Sequence, residues 1–254
     1  MGVRELFDLT GRNAIVTGAG GGIGRALCFA LAEVGANIGL VDTNRESIEK
    51  LAEELRKYGG KTALFTTDVS KESEVEEMAA KALSTMGKID ILVNCAGIFY
   101  WGPPEEIQME RWNRVLDVNL KGTFLCCRAV GRSMIANRKG KIINIASISA
   151  SIVNRPANVA YNVSKAGVVI LTKTLAADWA QYNVNVNSIS PGYMTTGMTE
   201  KNDALYGKEW RSMTPMHRLG DADELKGVVV FLASDASKLM TGQDLILDGG
   251  FTLW

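Results

Sequence analysis

The sequence predicts one α/β domain, residues 1–254, in which helices cover both faces of a doubly wound parallel sheet of about seven strands. Short apolar runs bounded by glycine, aspartate or asparagine recur along the chain, and segments of helical length separate most of them. No proline-rich linker or internal repeat divides the 254 residues. Since 46% of the residues are hydrophobic, the chain can bury a sizeable core.

Seven segments have the composition of strands buried on both faces, because apolar residues run through them without polar alternation. Between the second and third segments, Ile48, Leu51 and Leu55 recur at helical spacing, and Val75 and Met78 begin the same pattern after the third. This alternation implies parallel pairing through right-handed crossovers. In chain order the predicted strands are "NAIVTG", "ANIGLVD", "KTALFTTD", "IDILVNCAG", "KIINIAS", "VNVNSISPG" and "DLILDGG".

The periodicity fails from Gly192 to Met216, a stretch of about 25 residues that is longer than an ordinary loop. Apolar side chains on an irregular segment suit a lid over a ligand, so we expect a substrate lid at about 192–216. A disordered insertion is the alternative. The apolar and aromatic residues of this stretch are Tyr193, Met194, Met198, Tyr206, Trp210 and Met213.

Composition excludes several classes of partner. Lys+Arg and Asp+Glu are both 28, so the chain has no net positive charge with which to neutralise nucleic acid or an anionic membrane. No apolar run approaches the roughly 18 residues of a membrane span, and the amino terminus lacks a signal-peptide pattern, so we expect a cytoplasmic protein. Four cysteines without a CxxC pair and a single histidine predict reduced thiols and no metal site.

A glycine-rich turn, "TGAGGGIG" at 17–24, lies between the first predicted strand and a helix. Glycine permits a tight turn and a close approach of the backbone to a pyrophosphate, and the helix N-terminus offers free N–H groups to that anion. Gly18, Gly22 and Gly24 would serve these purposes. The turn therefore predicts dinucleotide binding.

Asp42 ends the second predicted strand, 18 positions after Gly24 (42 minus 24). A carboxylate near this spacing accepts hydrogen bonds from the adenosine ribose and repels a 2′-phosphate. Asp42 therefore predicts NAD rather than NADP, and Arg45 nearby is the reason to keep NADP as the alternative. Alternatively, Asp42 could simply cap the helix that follows the second strand.

Tyr161 and Lys165 in "YNVSK" are four residues apart, which places both on one face of a predicted helix. An ammonium about 5 Å from a phenol, at an effective dielectric near 20, contributes roughly 3 kcal/mol, or about two pKa units. We therefore expect Lys165 to lower the pKa of Tyr161 enough for general acid/base work on an alcohol or carbonyl oxygen. A surface tyrosine beside a solvated lysine is the alternative.

Six motifs together resemble the short-chain dehydrogenase/reductase family over most of the chain, from Leu9 to Trp254. They are "TGAGGGIG", "NCAG" at 94–97, Asn119 in "DVNLKG", Ser147 in "INIAS", "YNVSK" and "PGYMTT" at 191–196, in the order and approximate spacing of that family. "NCAG" departs from the commoner "NNAG" of the family. Cys95 replaces an amide side chain that often ties neighbouring strands together, so we expect the chain to be less rigid at this point.

The resemblance implies four catalytic residues. Tyr161 would be the general acid/base, and Lys165 would hold the nicotinamide ribose and lower the tyrosine pKa. Ser147 would hydrogen-bond the substrate oxygen, and Asn119 would hold a water in a proton relay through Lys165. Ser147 lies 14 positions before Tyr161 where many relatives have 13, so Ser149 is an alternative. Asn119 could instead bend its helix.

The resemblance also implies where a cofactor would lie. Asp68 and Val69 would meet the adenine, "NCAG" the adenosine ribose, and "PGYMTT" the nicotinamide amide. The cofactor-binding residues expected are Gly18, Gly22, Ile23, Gly24, Asp42, Asp68, Val69, Asn94, Ala96, Gly97, Tyr161, Lys165, Pro191, Gly192, Met194 and Thr196.

"SISASIVNRP" and "DGGFTLW" resemble the polyol dehydrogenase branch of the family. The expected reaction is hydride transfer between nicotinamide and a secondary alcohol or ketone, from polyol to ketose. Alternatives are a 3-oxoacyl-thioester reductase and a non-catalytic NAD-binding regulator. Ser147, Ser149, Asn154, Tyr161 and Tyr193 are the expected substrate contacts, with Met198, Trp210 and Trp101 as further pocket walls.

The segment from Asn113 to Asn137 and the helix after Tyr161 resemble those that pair across family tetramers. We therefore expect a homotetramer, with a dimer as the alternative.

Overall fold

A parallel sheet of seven strands forms the centre of the computed structural model, which describes residues 2–153 and 158–253, without the side chains of 198–202. The strands are β1 (Asn13–Thr17), β2 (Asn37–Asp42), β3 (Thr62–Thr66), β4 (Ile91–Asn94), β5 (Gly140–Ile145), β6 (Val184–Pro191), β7 (Met194–Thr195), β8 (Gly220–Asp221) and β9 (Asp244–Leu247). The order in the main sheet is β3-β2-β1-β4-β5-β6-β9, and β7 pairs with β8 separately. All seven predicted strands are confirmed.

Helices cover both faces of the sheet, so every residue of β1, β4 and β5 is buried. They are α1 (Val3–Leu6), α2 (Gly22–Glu33), α3 (Arg45–Leu55), α4 (Glu72–Met86), α5 (Met109–Leu116), α6 (Gly122–Ala136), α7 (Val159–Trp179), α8 (Gly197–Met213) and α9 (Lys226–Ala233). One apolar core lies between the sheet and α2, α3 and α9. A second lies between the sheet and α4, α6 and α7. The doubly wound fold is therefore confirmed.

The strand order reverses at β1, which pairs with β2 on one side and with β4 on the other. Thr17 at the end of β1 is in register with Asn94 at the end of β4. The connections that leave these two strands run to opposite faces of the sheet, which opens a crevice at their carboxyl ends. The glycine-rich turn and "NCAG" both lie at this crevice.

The expectation of an irregular segment at 192–216 is wrong. The stretch contains β7 and the 17-residue helix α8, followed by β8. Tyr206, Trp210 and Thr214 follow one another at intervals of four, and this spacing places Trp210, 2% exposed, against the protein. Polar residues and the exposed Leu205 and Met213 occupy much of the rest of α8, which conceals its periodicity.

In the part of the chain that the structure describes, none of the helices combines the length and the apolar character needed to cross a bilayer.

Candidate active site

A cavity of about 490 Å³ lies at the carboxyl ends of β1, β4, β5 and β6. Loops that follow these strands supply most of its wall, as expected for the crevice of a doubly wound sheet. The predicted residues that line it are Gly18, Gly22, Ile23, Gly24, Asp42, Gly97, Ser147, Ser149, Tyr161, Lys165, Pro191, Gly192, Tyr193, Met194, Thr196, Trp101 and Trp210. Asn154 and the side chain of Met198 fall outside the described residues.

The glycine-rich turn has no room for side chains at two positions. A Cβ on Gly24 would lie 2.1 Å from the carbonyl oxygen of Gly18, and one on Gly18 would lie 2.8 Å from Cα of Ala96. Gly18 also has φ +66°, in the left-handed region. Gly21 at the N-cap of α2 provides no side-chain cap, and the first turn contains no acidic residue. The N-terminus of α2 is therefore suited to an anion.

Asp42 presents its carboxylate at the edge of this turn. Its Oδ2 accepts a hydrogen bond from the backbone N–H of Gly20 at 3.0 Å, and its Oδ1 accepts one from that of Asn44 at 3.0 Å. Asn44, not Asp42, caps α3, because its side chain accepts from the N–H of Ser47 at 3.1 Å. The cap alternative for Asp42 is therefore wrong.

Tyr161 and Lys165 lie one turn apart near the start of α7, where Asn158 caps the helix by accepting from the N–H of Tyr161 at 3.3 Å. Ser147 hydrogen-bonds the hydroxyl of Tyr161. The Lys165 Nζ lies 5.6 Å from the centre of the Tyr161 ring and donates to the carbonyl of Ile145 at 2.7 Å. The structure thus joins Ser147, Tyr161 and Lys165 in one buried group, and the surface alternative for the pair is wrong.

Ser147, rather than Ser149, is the serine that meets the phenol. Its Oγ accepts from the backbone N–H of Ser149 at 3.1 Å, which fixes the loop after β5. Ser149 also lines the cavity. Ser147 caps the short 3₁₀ helix Ile148–Ala150.

Burial controls the pKa values of both titratable groups. It raises the pKa of Tyr161 to about 12, although the Ser147 hydrogen bond lowers it in part. Burial also lowers the pKa of Lys165 to about 8. Burial outweighs any effect of Lys165 on the tyrosine pKa in this structure, and the expectation that Lys165 lowers that pKa stays a prediction. The Coulomb argument omitted the free energy of removing a phenolate from water, which is the larger effect here.

Asn119 lies in a π-helical turn, Asp117–Lys121, between α5 and α6 and is fully buried. Its Nδ2 donates to the carbonyl of Ile98 at 2.9 Å and to Oγ of Ser164 at 3.0 Å, and its Oδ1 accepts from the N–H of Ile98 at 2.8 Å. One side chain therefore joins the loop after β4 to α7. This geometry favours the alternative role of Asn119 in helix bending, and the water relay stays a prediction.

Four predicted cofactor residues, Asp68, Val69, Asn94 and Ala96, do not line the cavity. Asp68 forms an ion pair with Arg114 at 3.2 Å. Asn94 is buried and donates to Oδ1 of Asn144 at 2.9 Å, which ties β4 to β5. The tie supplies the local rigidity that the cysteine in "NCAG" placed in doubt. The contacts of these four residues with a cofactor stay predictions.

Aromatic rings form one side of the cavity. Tyr193 stacks on Trp210 with ring centres 4.2 Å apart, and Trp210 meets Trp101 edge-on at 6.4 Å. Phe99 continues the series, 5.5 Å from Trp101 and 6.4 Å from Tyr161. We call Phe99, Trp101, Tyr193 and Trp210 the aromatic wall. It extends from Trp210 on α8 to Phe99, which lies beside Tyr161.

Comparison with known proteins places this geometry in a family. A family model described as enoyl-(acyl carrier protein) reductase matches residues 18–252. A crystal structure of a short-chain type dehydrogenase/reductase from Mycobacterium marinum superposes with a TM-score of 0.96, at 38% identity and over 99% of both chains. The chain belongs to the short-chain dehydrogenase/reductase family. It is therefore an NAD(P)-dependent oxidoreductase that acts on alcohol groups.

Two curated members of the short-chain dehydrogenase/reductase family are similar along their whole length. An NAD-dependent glycerol dehydrogenase from Listeria innocua is 38% identical over 99% of this chain and 98% of its own. An NADP-dependent mannitol dehydrogenase from Hypocrea jecorina is 40% identical over 98% of this chain and 95% of its own. Their names pair polyols with different nicotinamide cofactors.

The residues present fit the dinucleotide of a short-chain dehydrogenase/reductase. Backbone N–H groups at the start of α2 lie beside glycines whose replacement would close the turn. Phe99, Asn158 and Asn162 also line the cavity and were missed from the sequence. The position of Asn158, three before Tyr161 at a helix start, was the available signal. The local sequence gave no such signal for Phe99, which resembles an ordinary core residue, or for Asn162, which resembles an ordinary surface residue.

Proposed function

We propose that this protein is an NAD-dependent polyol dehydrogenase, which oxidises a secondary alcohol of a polyol to the ketone. The buried group of Ser147, Tyr161 and Lys165, in one cavity with the glycine-rich turn, is the observation that carries the proposal. NAD, when bound, supplies the hydride acceptor. The protein supplies the proton acceptor and the orientation of the carbinol.

In this proposal Ser147 and Tyr161 hold the substrate oxygen between their hydroxyl groups. Tyr161 takes the hydroxyl proton of the alcohol during oxidation and returns a proton to the carbonyl oxygen during reduction. Because burial raises the pKa of Tyr161 to about 12, positive charge close by would favour the phenolate during turnover. Among the described residues that line the cavity, Lys165, held at the carbonyl of Ile145, is the cation placed for that role.

The proposal favours NAD over NADP because of Asp42 and its surroundings. Its carboxylate is fixed by two backbone N–H groups and lies at the cavity. A 2′-phosphate there would be repelled. Arg45, the residue that could attract such a phosphate, pairs instead with Glu49 at 2.6 Å on the exposed face of α3.

The substrate assignment has two supports. Ser149, Asn158 and Asn162 add polar groups to the cavity wall near Tyr161, where further hydroxyl groups of a polyol could bind. The two similar proteins described above are named as dehydrogenases of glycerol and of mannitol, which are both polyols.

The alternative, a 3-oxoacyl-thioester reductase, is nearest to the printed description of the family model. An acyl carrier would need basic residues around the pocket. Among the described residues that line the cavity, Lys165 is the one lysine or arginine, and it is buried. We therefore keep the polyol assignment.

Initial rates separate these assignments. Purified protein is tested with glycerol, threitol, galactitol and mannitol in the presence of NAD or NADP, and with acetoacetyl thioester in the presence of NADH. We expect the highest kcat/KM with a polyol and NAD. Preferential turnover of the thioester would overturn the substrate assignment, and preference for NADP would overturn the cofactor assignment.

We also propose a cytoplasmic homotetramer. Phe124 on α6 and Val163 and Ile170 on α7 are apolar side chains that are 39%, 45% and 61% exposed, on the two helices that the family resemblance assigns to subunit pairing. Pairing of these helices across a two-fold axis would cover the three side chains.

A further inference from the structure

A second pocket lies at the opposite edge of the sheet, where β5 and β6 begin. It has a volume of about 50 Å³. Four cations line it, Arg12, Lys139, Lys141 and Lys238, together with two carboxylates, those of Asp90 and Asp235. The lining therefore has a formal charge of +2 (four minus two), whereas the whole chain has a net charge of zero. This local excess of positive charge has no role in the proposed catalysis.

Both carboxylates already have cationic partners. Asp235 pairs with Arg12 at 2.5 Å. Asp90 pairs with Lys88 at 2.9 Å and accepts from the backbone N–H of Asn13 at 3.0 Å. The ion pairs of the described residues do not include Lys139, Lys141 or Lys238. Lys139, Lys141 and Lys238 thus form no ion pair within the described chain, although the Asp235 carboxylate is near enough to act on the charge of Lys141.

Lys141 is the deepest of these cations, with 7% of its surface exposed. Its Nζ donates to Oδ1 of Asn185 at 2.9 Å and to Oγ of Ser237 at 3.3 Å. An ammonium has three N–H donors, so one more hydrogen bond can be made. Both hydrogen-bond acceptors are neutral, and the nearby Asp235 carboxylate is already paired with Arg12, so the buried ammonium is only partly compensated. A bound anion would supply the missing charge.

We propose that this pocket binds a small oxyanion of the phosphate or sulfate type, between the Lys141 ammonium and those of Lys139 and Lys238. The last two side chains are exposed and can close over an anion from the solvent side. The volume exceeds the roughly 10 to 15 Å³ that one water requires, but it is far too small for a nucleotide. The ligand is therefore a free oxyanion or the phosphate group of a monoester.

Thermal unfolding tests the proposal. The melting temperature is measured at pH 7 with millimolar sulfate and with sodium chloride at equal ionic strength, under saturating NADH, so that the glycine-rich turn is not the responding site. Sulfate at about 100 times its Kd should raise the melting temperature by about 5 °C more than chloride does. Methyl phosphate, used in a parallel series, shows whether a monoester is also accepted.

Lys139→Gln with Lys238→Gln should abolish the sulfate-specific rise, and both changes lie on the surface, where folding is not at risk. Lys141→Met should abolish it too, since methionine retains the apolar stem. Lys50→Met, on the exposed face of α3, is the control and should keep the full rise. An equal rise in the double variant, or no rise above chloride in the unaltered protein, would overturn the proposal.

Discussion

The hydroxyl of Tyr161 is the single group on which the proposed proton transfer depends. Tyr161→Phe keeps the ring against Phe99 and removes the hydroxyl that Ser147 contacts. We expect kcat/KM to fall by about 10² to 10⁴, the usual contribution of a general acid/base, because no other hydroxyl replaces it. NADH binding, followed by fluorescence, should persist.

Tyr58→Phe is the matched control for that substitution. Tyr58 donates to Glu33 on the surface, far from the cavity lining, and its loss should leave kcat/KM within twofold. Activity of Tyr161→Phe close to that of the control would contradict the assignment of Tyr161.

The carboxylate of Asp42 tests cofactor preference. Asp42→Asn keeps an oxygen for the N–H of Gly20 and removes the negative charge. We expect the ratio of kcat/KM for NAD to that for NADP to fall at least tenfold, a change of about 1.4 kcal/mol. Steady-state kinetics with both cofactors measures this ratio. An unchanged ratio would show that the Asp42 charge does not select the cofactor.

Lys165 makes stability depend on pH in a direction opposite to that of a lysine in an ion pair, because burial lowers its folded pKa instead of raising it. Its folded pKa of about 8 lies below the unfolded value of about 10.4, so the unfolded state binds more protons between these values. Stability should therefore rise as the pH increases from 8 to about 10, by about 3 kcal/mol at most. Above pH 10 the raised pKa of Tyr161 reverses the trend, because the unfolded phenol ionises first.

Urea unfolding of Lys165→Met between pH 7 and 10 checks this sign. The variant should be more stable than the unaltered protein at pH 7 and should show a shallower rise with pH. Burial also lowers the pKa of Lys141 to about 8, so part of the rise in stability with pH should remain in the Lys165→Met variant. Lys50→Met should not alter the profile. A Lys165→Met protein that loses stability at pH 7 would contradict the buried-charge argument.

Among the secondary-structure elements, α8 connects substrate recognition to stability. Trp210 is nearly fully buried and stacks on Tyr193 in the aromatic wall. Trp210→Ala should lower the free energy of unfolding by about 3 to 5 kcal/mol and raise KM more than it lowers kcat. Leu205→Ala, on the same helix and 74% exposed, is the control. Denaturant unfolding and steady-state kinetics give both quantities, and equal effects of the two substitutions would remove α8 from the substrate site.

Sequence reasoning succeeded for the strands and failed for α8, and the difference has a physical cause. A strand such as β5, buried on both faces, needs apolar residues at nearly every position, which stand out in a sequence. Among the described residues of α8, Trp210 is the large side chain that is nearly fully buried, and one such residue gives a weak periodic signal in a sequence. The pKa of Tyr161 was likewise beyond prediction, because desolvation depends on packing that chain order does not specify.

For the molecule as a whole, the proposed tetramer predicts a concentration-independent mass four times the 27.5 kDa of one chain. Ile170→Glu would place a charge in the proposed contact and should reduce the mass observed by light scattering to that of a dimer or monomer. Lys50→Glu, with a charge change on a face that the proposal leaves in solvent, should not alter it. An unaltered mass for Ile170→Glu would exclude α7 from the interface.

The ring of Phe251 packs edge-on against Tyr193 with centres 5.3 Å apart, and Phe251 is 5% exposed. The carboxyl-terminal segment is thus a mechanical support for one ring of the aromatic wall. A purification tag fused after residue 254 would begin four residues after Phe251 (255 minus 251), close enough to disturb that support. Kinetic work on this protein is therefore best done with amino-terminal fusions, whose attachment point near α1 lies away from the cavity lining.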